Sequence, residues 1–150
     1  MAIDAVVPSV EAGAVIDKLF EALARGDVAS ARACCTPEAR FWHSFDGVAL
    51  DLDQACAGWA GFIASFSERT VVDVRRVGIP NGFLQQHYLV VRRPDGARKG
   101  WPICIVVRTR EGLIARLEEY IDRSGTLPVS GGDLTTPGLP PANRVESPSS

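Results

Sequence analysis

The apolar pattern of this chain changes period once, near Ser67, and that change constrains the fold more than any other feature. Before it, apolar residues recur at steps of three and four, the spacing of a helix that buries one face. After it they follow the period of two that belongs to half-buried strands. Helices first and strands last predict an α+β class with an antiparallel sheet, not alternating β-α-β units.

Val15, Ile16, Leu19, Phe20 and Leu23 stripe a first helix from Val10 to Arg25, which Gly26 ends. Asp27 is placed to cap a short second helix running through Cys35, because its carboxylate can accept the unpaired amides of a first turn, and Pro37 stops it. A brief strand, Arg40–Phe45, precedes a turn at Asp46-Gly47. A third helix starts at Asp51 or Asp53 and carries Ala55, Trp59, Phe62, Ile63 and Phe66 on one face. Strands follow at Val71–Val77, Phe83–Arg92, Trp101–Thr109 and Leu113–Asp122, joined by Pro80-Asn81-Gly82, Pro94-Asp95-Gly96 and Glu111-Gly112. The domain is expected to span 1–124. Residues 125–150, rich in Pro, Gly and Ser, cannot bury enough surface to offset their ordering entropy and are expected to form a loose tail, or else to wrap a neighbouring subunit.

Length and charge narrow the function. The 150 residues suffice for one core, and 16 Lys and Arg against 18 Asp and Glu leave no basic field for a nucleic-acid backbone. No apolar run approaches the roughly 18 to 20 residues of a membrane span, and the first residues do not read as a secretory signal, so a cytoplasmic protein is expected. The four cysteines, Cys34, Cys35, Cys56 and Cys104, form no CxxC and read as small buried hydrophobes. GxGxxG, P-loop, HExxH and GxSxG motifs are missing, as is metal-ligand spacing; Asp46 beside His43 is weak ground for a metal. No cofactor and no metal are expected.

Strand alternation singles out a few polar side chains. In the last strand it groups Glu119 with Leu113, Ala115, Leu117 and Ile121. A carboxylate on that face loses hydration, which raises its pKa and suits a general acid or base. The structural alternatives are a slipped register, a bulge that turns it outward, or an ion pair with an arginine. His43 shares its face with Phe41 and Phe45, either as a core histidine held by a backbone bond or, if it meets Glu119 in one cavity, as half of a proton-transfer pair. In the strand Phe83–Val91, one face carries Leu84, Gln86, Tyr88 and Val90, so Gln86 and Tyr88 are expected in the pocket wall, or at a subunit interface, with His87 outside. Trp59 and Trp101 read as core or pocket wall.

The phrases Ala39-Arg-Phe-Trp-His-Ser-Phe-Asp-Gly47 and Glu111-Gly-Leu-Ile-Ala-Arg-Leu-Glu-Glu-Tyr-Ile-Asp122, in this order of elements, resemble the SnoaL-like branch of the superfamily that includes nuclear transport factor two, ketosteroid isomerase, limonene epoxide hydrolase and the polyketide cyclases. The resemblance spans Val10 to Ser124. It implies a cone-shaped, cystatin-like roll, three helices on a curved mixed or antiparallel sheet around a pocket, and a homodimer formed through the outer sheet face, where Arg116, Glu118, Tyr120 and His87 are expected. The general-base aspartate of ketosteroid isomerase corresponds to His43, but its oxyanion donors fall on Leu19 and Cys104, which are not adequate donors. The last-strand aspartate of limonene epoxide hydrolase corresponds to Glu119; its arginine and aspartate partners fall on Gln86 and Tyr88, and its water-holding tyrosine and asparagine on Phe41 and His43. The polyketide cyclases, with a histidine and an acid facing a pocket, resemble the chain in chemistry. The implied activity is cofactor-free acid–base work by His43 and Glu119 on a small apolar, oxygen-bearing molecule, with Phe41, Trp59, Gln86, Tyr88, Trp101 and Cys104 binding it. A non-catalytic binder and a dimeric assembly module are the alternatives.

Overall fold

The computed structural model describes residues 10–123 and 127–128. Helix α1 (Val10–Ala24) buries Val15, Ile16, Leu19, Ala22 and Leu23. It ends in a Schellman motif: Gly26 adopts φ +77°, its N–H reaches the Leu23 carbonyl at 3.2 Å, and the Asp27 N–H reaches the Ala22 carbonyl at 2.8 Å. Asp27 then caps α2 (Val28–Arg32), its carboxylate accepting from the Ser30 amide at 3.0 Å and the Ser30 hydroxyl at 2.6 Å. This helix is shorter than expected. Cys35 already belongs to β1 (Cys35–His43), and Pro37, expected to end a helix, lies inside that strand. It is tolerated because the pairing of β1 shifts register between Cys35 and Arg40, so its missing N–H removes no ladder bond there.

Short β2 (Ala49–Leu50) leads into α3 (Leu52–Ser65), whose capping box joins Asp51 and Gln54 reciprocally at 2.8 and 2.9 Å. The remaining strands are β3 (Glu68–Ile79), β4 (Gly82–Arg92), β5 (Arg98–Arg110), β6 (Leu113–Ile121) and the two-residue β7 (Leu127–Pro128). Glu111 and Gly112, both with positive φ, make the two-residue β5–β6 turn. The sheet order is β2-β1-β6-β5-β4-β3, with β7 against β5. All neighbours are antiparallel except β1 and β6, which run parallel, so the sheet is mixed. Leu127 and Pro128 of the expected tail of 125–150 form this β7 against β5, and the rest of that tail lies outside the described residues.

Helix α1 packs on β3, β4 and β6, and α3 on β1 and β2. One buried cation ties both helices to the sheet. Arg69, at the start of β3, donates from Nε to the Leu23 carbonyl (2.9 Å), from Nη2 to Ala24 (3.0 Å), and from Nη1 to Ile63 (3.3 Å) and Phe66. These carbonyls close the C-terminal ends of α1 and α3, where backbone acceptors lack helical donors. Arg69→Met is expected to lower stability in urea unfolding by about 3 kcal/mol, since buried carbonyls are left unpaired, and Arg69→Lys to recover only part of it. A loss below about 1 kcal/mol would show that packing alone holds the helix ends.

Candidate functional site

Parallel pairing of β1 with β6 sets His43 directly opposite Glu119, Trp42 opposite Glu118 and Phe41 opposite Leu117. Paired strands lie about 4.8 Å apart, so the two titratable side chains leave the sheet side by side. Ser44 secures that register: its amide donates to the Glu119 carbonyl at 2.9 Å, and its hydroxyl accepts from the Ile121 amide at 3.0 Å and donates to the Ile121 carbonyl at 3.2 Å.

Both side chains face a cavity of about 380 Å³ between the sheet and the helices, within the usual range for ligand pockets of about 300–1,000 Å³. Helix α1 contributes Leu19, Phe20 and Leu23, α3 contributes Ala55, Gly58, Trp59 and Phe62, and the sheet contributes Phe41, Leu89, Trp101, Leu117 and Ile121. The walls are aromatic and interlocked, with Phe41 edge-on to Trp59 at 5.3 Å and Phe66 to Trp101 at 6.1 Å between ring centres. The polar lining is limited to His43, Asp46, Glu119 and Arg123.

Burial among these rings governs the protons. Desolvation pushes the Glu119 carboxyl up to about 7, against the opposing pull of Arg123. The same desolvation lowers the His43 imidazole, which Asp46 opposes and Arg123 assists. His43 also stacks on Phe45, at 5.1 Å between centres. Neither ionisable head has a side-chain hydrogen-bond partner among the described residues. No group of three His, Cys, Asp or Glu side chains among them comes together to hold a metal ion.

Of the expected lining residues, Phe41, Trp59 and Trp101 line this cavity, whereas Gln86, Tyr88 and Cys104 do not. Ile105 pairs with both Glu119 and Gln85, so the inner face of β4 carries Gln85 and His87, and the expected parity of that strand is reversed. Gln86 and Cys104 instead line a separate depression of about 210 Å³ with Arg75 and Tyr120. Tyr88 shares the outer parity of Gln86 and is buried there. His87, expected outside, is buried against Phe20 of α1, 5.2 Å between rings. Inward polarity on β4 is satisfied by a relay: Asp17 pairs with Arg76, Arg76 Nε donates to Gln85 Oε1 at 2.6 Å, and the Gln85 amide reaches His87 Nδ1 at 3.0 Å. The Arg76 bond orients the Gln85 amide, which makes His87 Nδ1 the acceptor. Burial, aided by Arg76, brings the His87 pKa down to about 4.

Two polar members of the lining, Asp46 and Arg123, were not assigned a site role from sequence. Arg123 was legible: alternation carried two residues past Ile121 puts it on the face of Glu119. The cysteines divide, Cys34 and Cys35 being buried and Cys56 and Cys104 half-buried, and burial lifts the Cys35 thiol to about 12.

The Glu119 shift gives a signed stability prediction. Below the unfolded pKa of 4.5 both states hold the proton. As pH rises from there to about 7 only the folded state keeps it, so stability falls across that window by roughly 3 kcal/mol. Urea unfolding of Glu119→Gln should therefore show a variant increasingly more stable than wild type from pH 5 to pH 8. A gap independent of pH would mean a solvated carboxylate.

Comparison with known proteins identifies the domain. A SnoaL-like domain profile matches residues 16–117. Among solved structures, a candidate polyketide cyclase of Xanthomonas campestris pv. campestris is 15% identical over 76% of this chain and 92% of its own, with a TM-score of 0.66. A protein of Catenulispora acidiphila with a ketosteroid isomerase-like fold, in complex with trimethylamine, is 13% identical over 81% and 92%, TM-score 0.67. An LEH-like epoxide hydrolase of M. tuberculosis is 14% identical over 75% and 83%, TM-score 0.64. No curated protein sequence matches the chain. At such identities the likeness carries the fold and leaves the reaction to the site.

Proposed function

The chain belongs to the SnoaL-like domain family, and on that premise we propose that it is a cofactor-independent acid–base enzyme, an isomerase, cyclase, lyase or hydrolase, acting on a small apolar molecule that bears a carbonyl or similar oxygen. His43 takes or delivers the proton and Glu119 is its partner or the opposing acid. Phe41, Trp59 and Trp101 supply apolar wall. The observation that carries this reading is the register pair itself, a histidine and a desolvated carboxyl side by side in one apolar cavity. Near neutral pH Glu119 divides between its two forms while His43 favours the neutral one, so the pair can offer an acid and a base together.

The test is proton NMR in D2O on a panel of enolisable aryl ketones and aryl epoxides, with wild type, His43→Ala and Glu119→Gln. Conversion or deuterium uptake is expected with wild type, falling about a hundred- to ten-thousand-fold in each variant. Equal rates in all three would sink the assignment. A non-catalytic binder is the second reading, favoured by one observation: the Catenulispora protein of this fold holds a small amine. Compounds that bind and are returned unchanged by wild type would select it.

We further propose a homodimer joined through the outer sheet face, in the cytoplasm. What supports the first is the exposure of Tyr120 (46%), whose ring lies 5.2 Å from that of Trp42, beside the Arg116–Glu118 pair. For the second, no helix among the described residues is long and apolar enough to cross a membrane. Sedimentation velocity at micromolar concentration should show a dimer that Tyr120→Arg dissociates; a wild-type monomer would contradict it.

A further inference from the structure

The acid–base reading leaves Arg123 unused. It follows β6 on the face of Glu119 and Ile121 and lines the cavity with them. Two aromatic cavity residues fix it: its guanidinium carbon stands 4.5 Å from the centre of the Phe45 ring, and Trp101 donates its indole N–H to the Arg123 carbonyl at 3.2 Å. Arg25, Arg32, Arg76 and Arg116 each hold a carboxylate. Arg123 forms no ion pair among the described residues.

With its central carbon over the Phe45 ring, the Arg123 guanidinium still carries N–H donors suited to a planar anion. The charge inventory around it is short. Glu119 lies on β6 and His43 on β1, while Asp46, in the turn after β1, already accepts from the Val48 amide at 2.9 Å. Helices α1 and α3 and strands β4 and β5 present only apolar side chains and Gly58 to the cavity. A permanent cation is thus set at the edge of an aromatic chamber.

We propose that the ligand of this cavity is an organic carboxylate, with an apolar ring system seated among Phe41, Trp59, Phe66 and Trp101 and its carboxylate held by the Arg123 fork. This rests on the cavity being the ligand site proposed above and names the polar end of that ligand. The carboxylate is the anchor, and the reacting position is the part of the molecule that meets His43 and Glu119.

The probes are 2-naphthoate and its neutral isostere 2-naphthamide, titrated calorimetrically at pH 6, where most of Glu119 holds its proton and the naphthoate is ionised. Wild type should bind the naphthoate at least about tenfold more tightly than the amide. Arg123→Gln should abolish that preference while keeping amide affinity within about twofold, Arg123→Lys should keep only part of it, and Glu119→Gln should retain most of it. Thermal melts confirm that each variant folds. Equal affinities in wild type, a preference that survives Arg123→Gln, or binding of neither probe would each overturn the proposal. The outcomes separate cleanly from the acid–base reading, which is decided by the rates of His43→Ala and Glu119→Gln and not by the anion preference.

Discussion

Strands β3 to β6 are joined by short turns, so their registers follow from chain connectivity, but β1 reaches its place from the far end of the sequence and is positioned by its own pairing. Only because it enters parallel, between β2 and β6, does His43 come to lie against Glu119. Side chains alternate with a period of two, so a slip of one residue would send His43 to the opposite face and leave Glu119 alone in the cavity. The bonds from Ser44 to the backbone of Glu119 and Ile121 lie one residue past His43, where such a slip is most costly to the site. At the other end, the Ile114 amide donates to the Cys34 carbonyl at 2.9 Å, so the irregular stretch around Pro37 is bracketed by pairing on both sides.

The helical layer is held by polar anchors more than its apolar stripes suggest. Arg69 binds the C-terminal ends of α1 and α3 with a single guanidinium, and the Asp17–Arg76–Gln85–His87 relay fixes α1 to β3 and β4. Phe20 lies where these systems meet: it lines the cavity and packs on His87. With its pKa near 4, His87 is neutral at physiological pH and keeps Nδ1 as an acceptor for Gln85. The cavity walls are thus braced from behind by groups that take no part in its chemistry, which is how a site holds its geometry without a ligand.

How far this was legible follows from where the constraints are local. The period change at Ser67, the Gly26 stop and the Asp51 cap act within a few residues, and the first and third helices could be placed from them. Glu119 could be assigned a face because Leu117 and Ile121 flank it on the apolar side of β6; nearer the turn the expected alternation fails, since a register shift against β5 turns Ile114 into the core where Leu113 was expected. In β4 no such asymmetry exists. Leu84, Gln86, Tyr88 and Val90 are as mixed as Phe83, Gln85, His87, Leu89 and Val91, and the choice is made by register through Ile105, which is non-local. Pro37 misled for a related reason: a residue that breaks helices locally is equally at home where a strand's pairing lapses. Arg123 was hidden by ending the last strand at Asp122, although its parity was correct.

The electrostatics of the cavity follow from one asymmetry. Glu119 is half-buried in the apolar wall of the cavity, whereas Arg123 is solvent-exposed and spends part of its field on the face of Phe45. Charge interactions weaken toward solvent, where dielectric and salt screen them, so the cation does not cancel the desolvation of the carboxyl. Desolvation penalises whichever form is charged: it keeps the proton on Glu119 and keeps it off His43. Near neutral pH a carboxyl that partly keeps its proton therefore stands beside an imidazole that favours its neutral form. On the acid–base function proposed above, a carbonyl or epoxide oxygen entering between them would meet a donor and an acceptor in the protonation states that proton transfer requires, with its own developing charge left to be compensated.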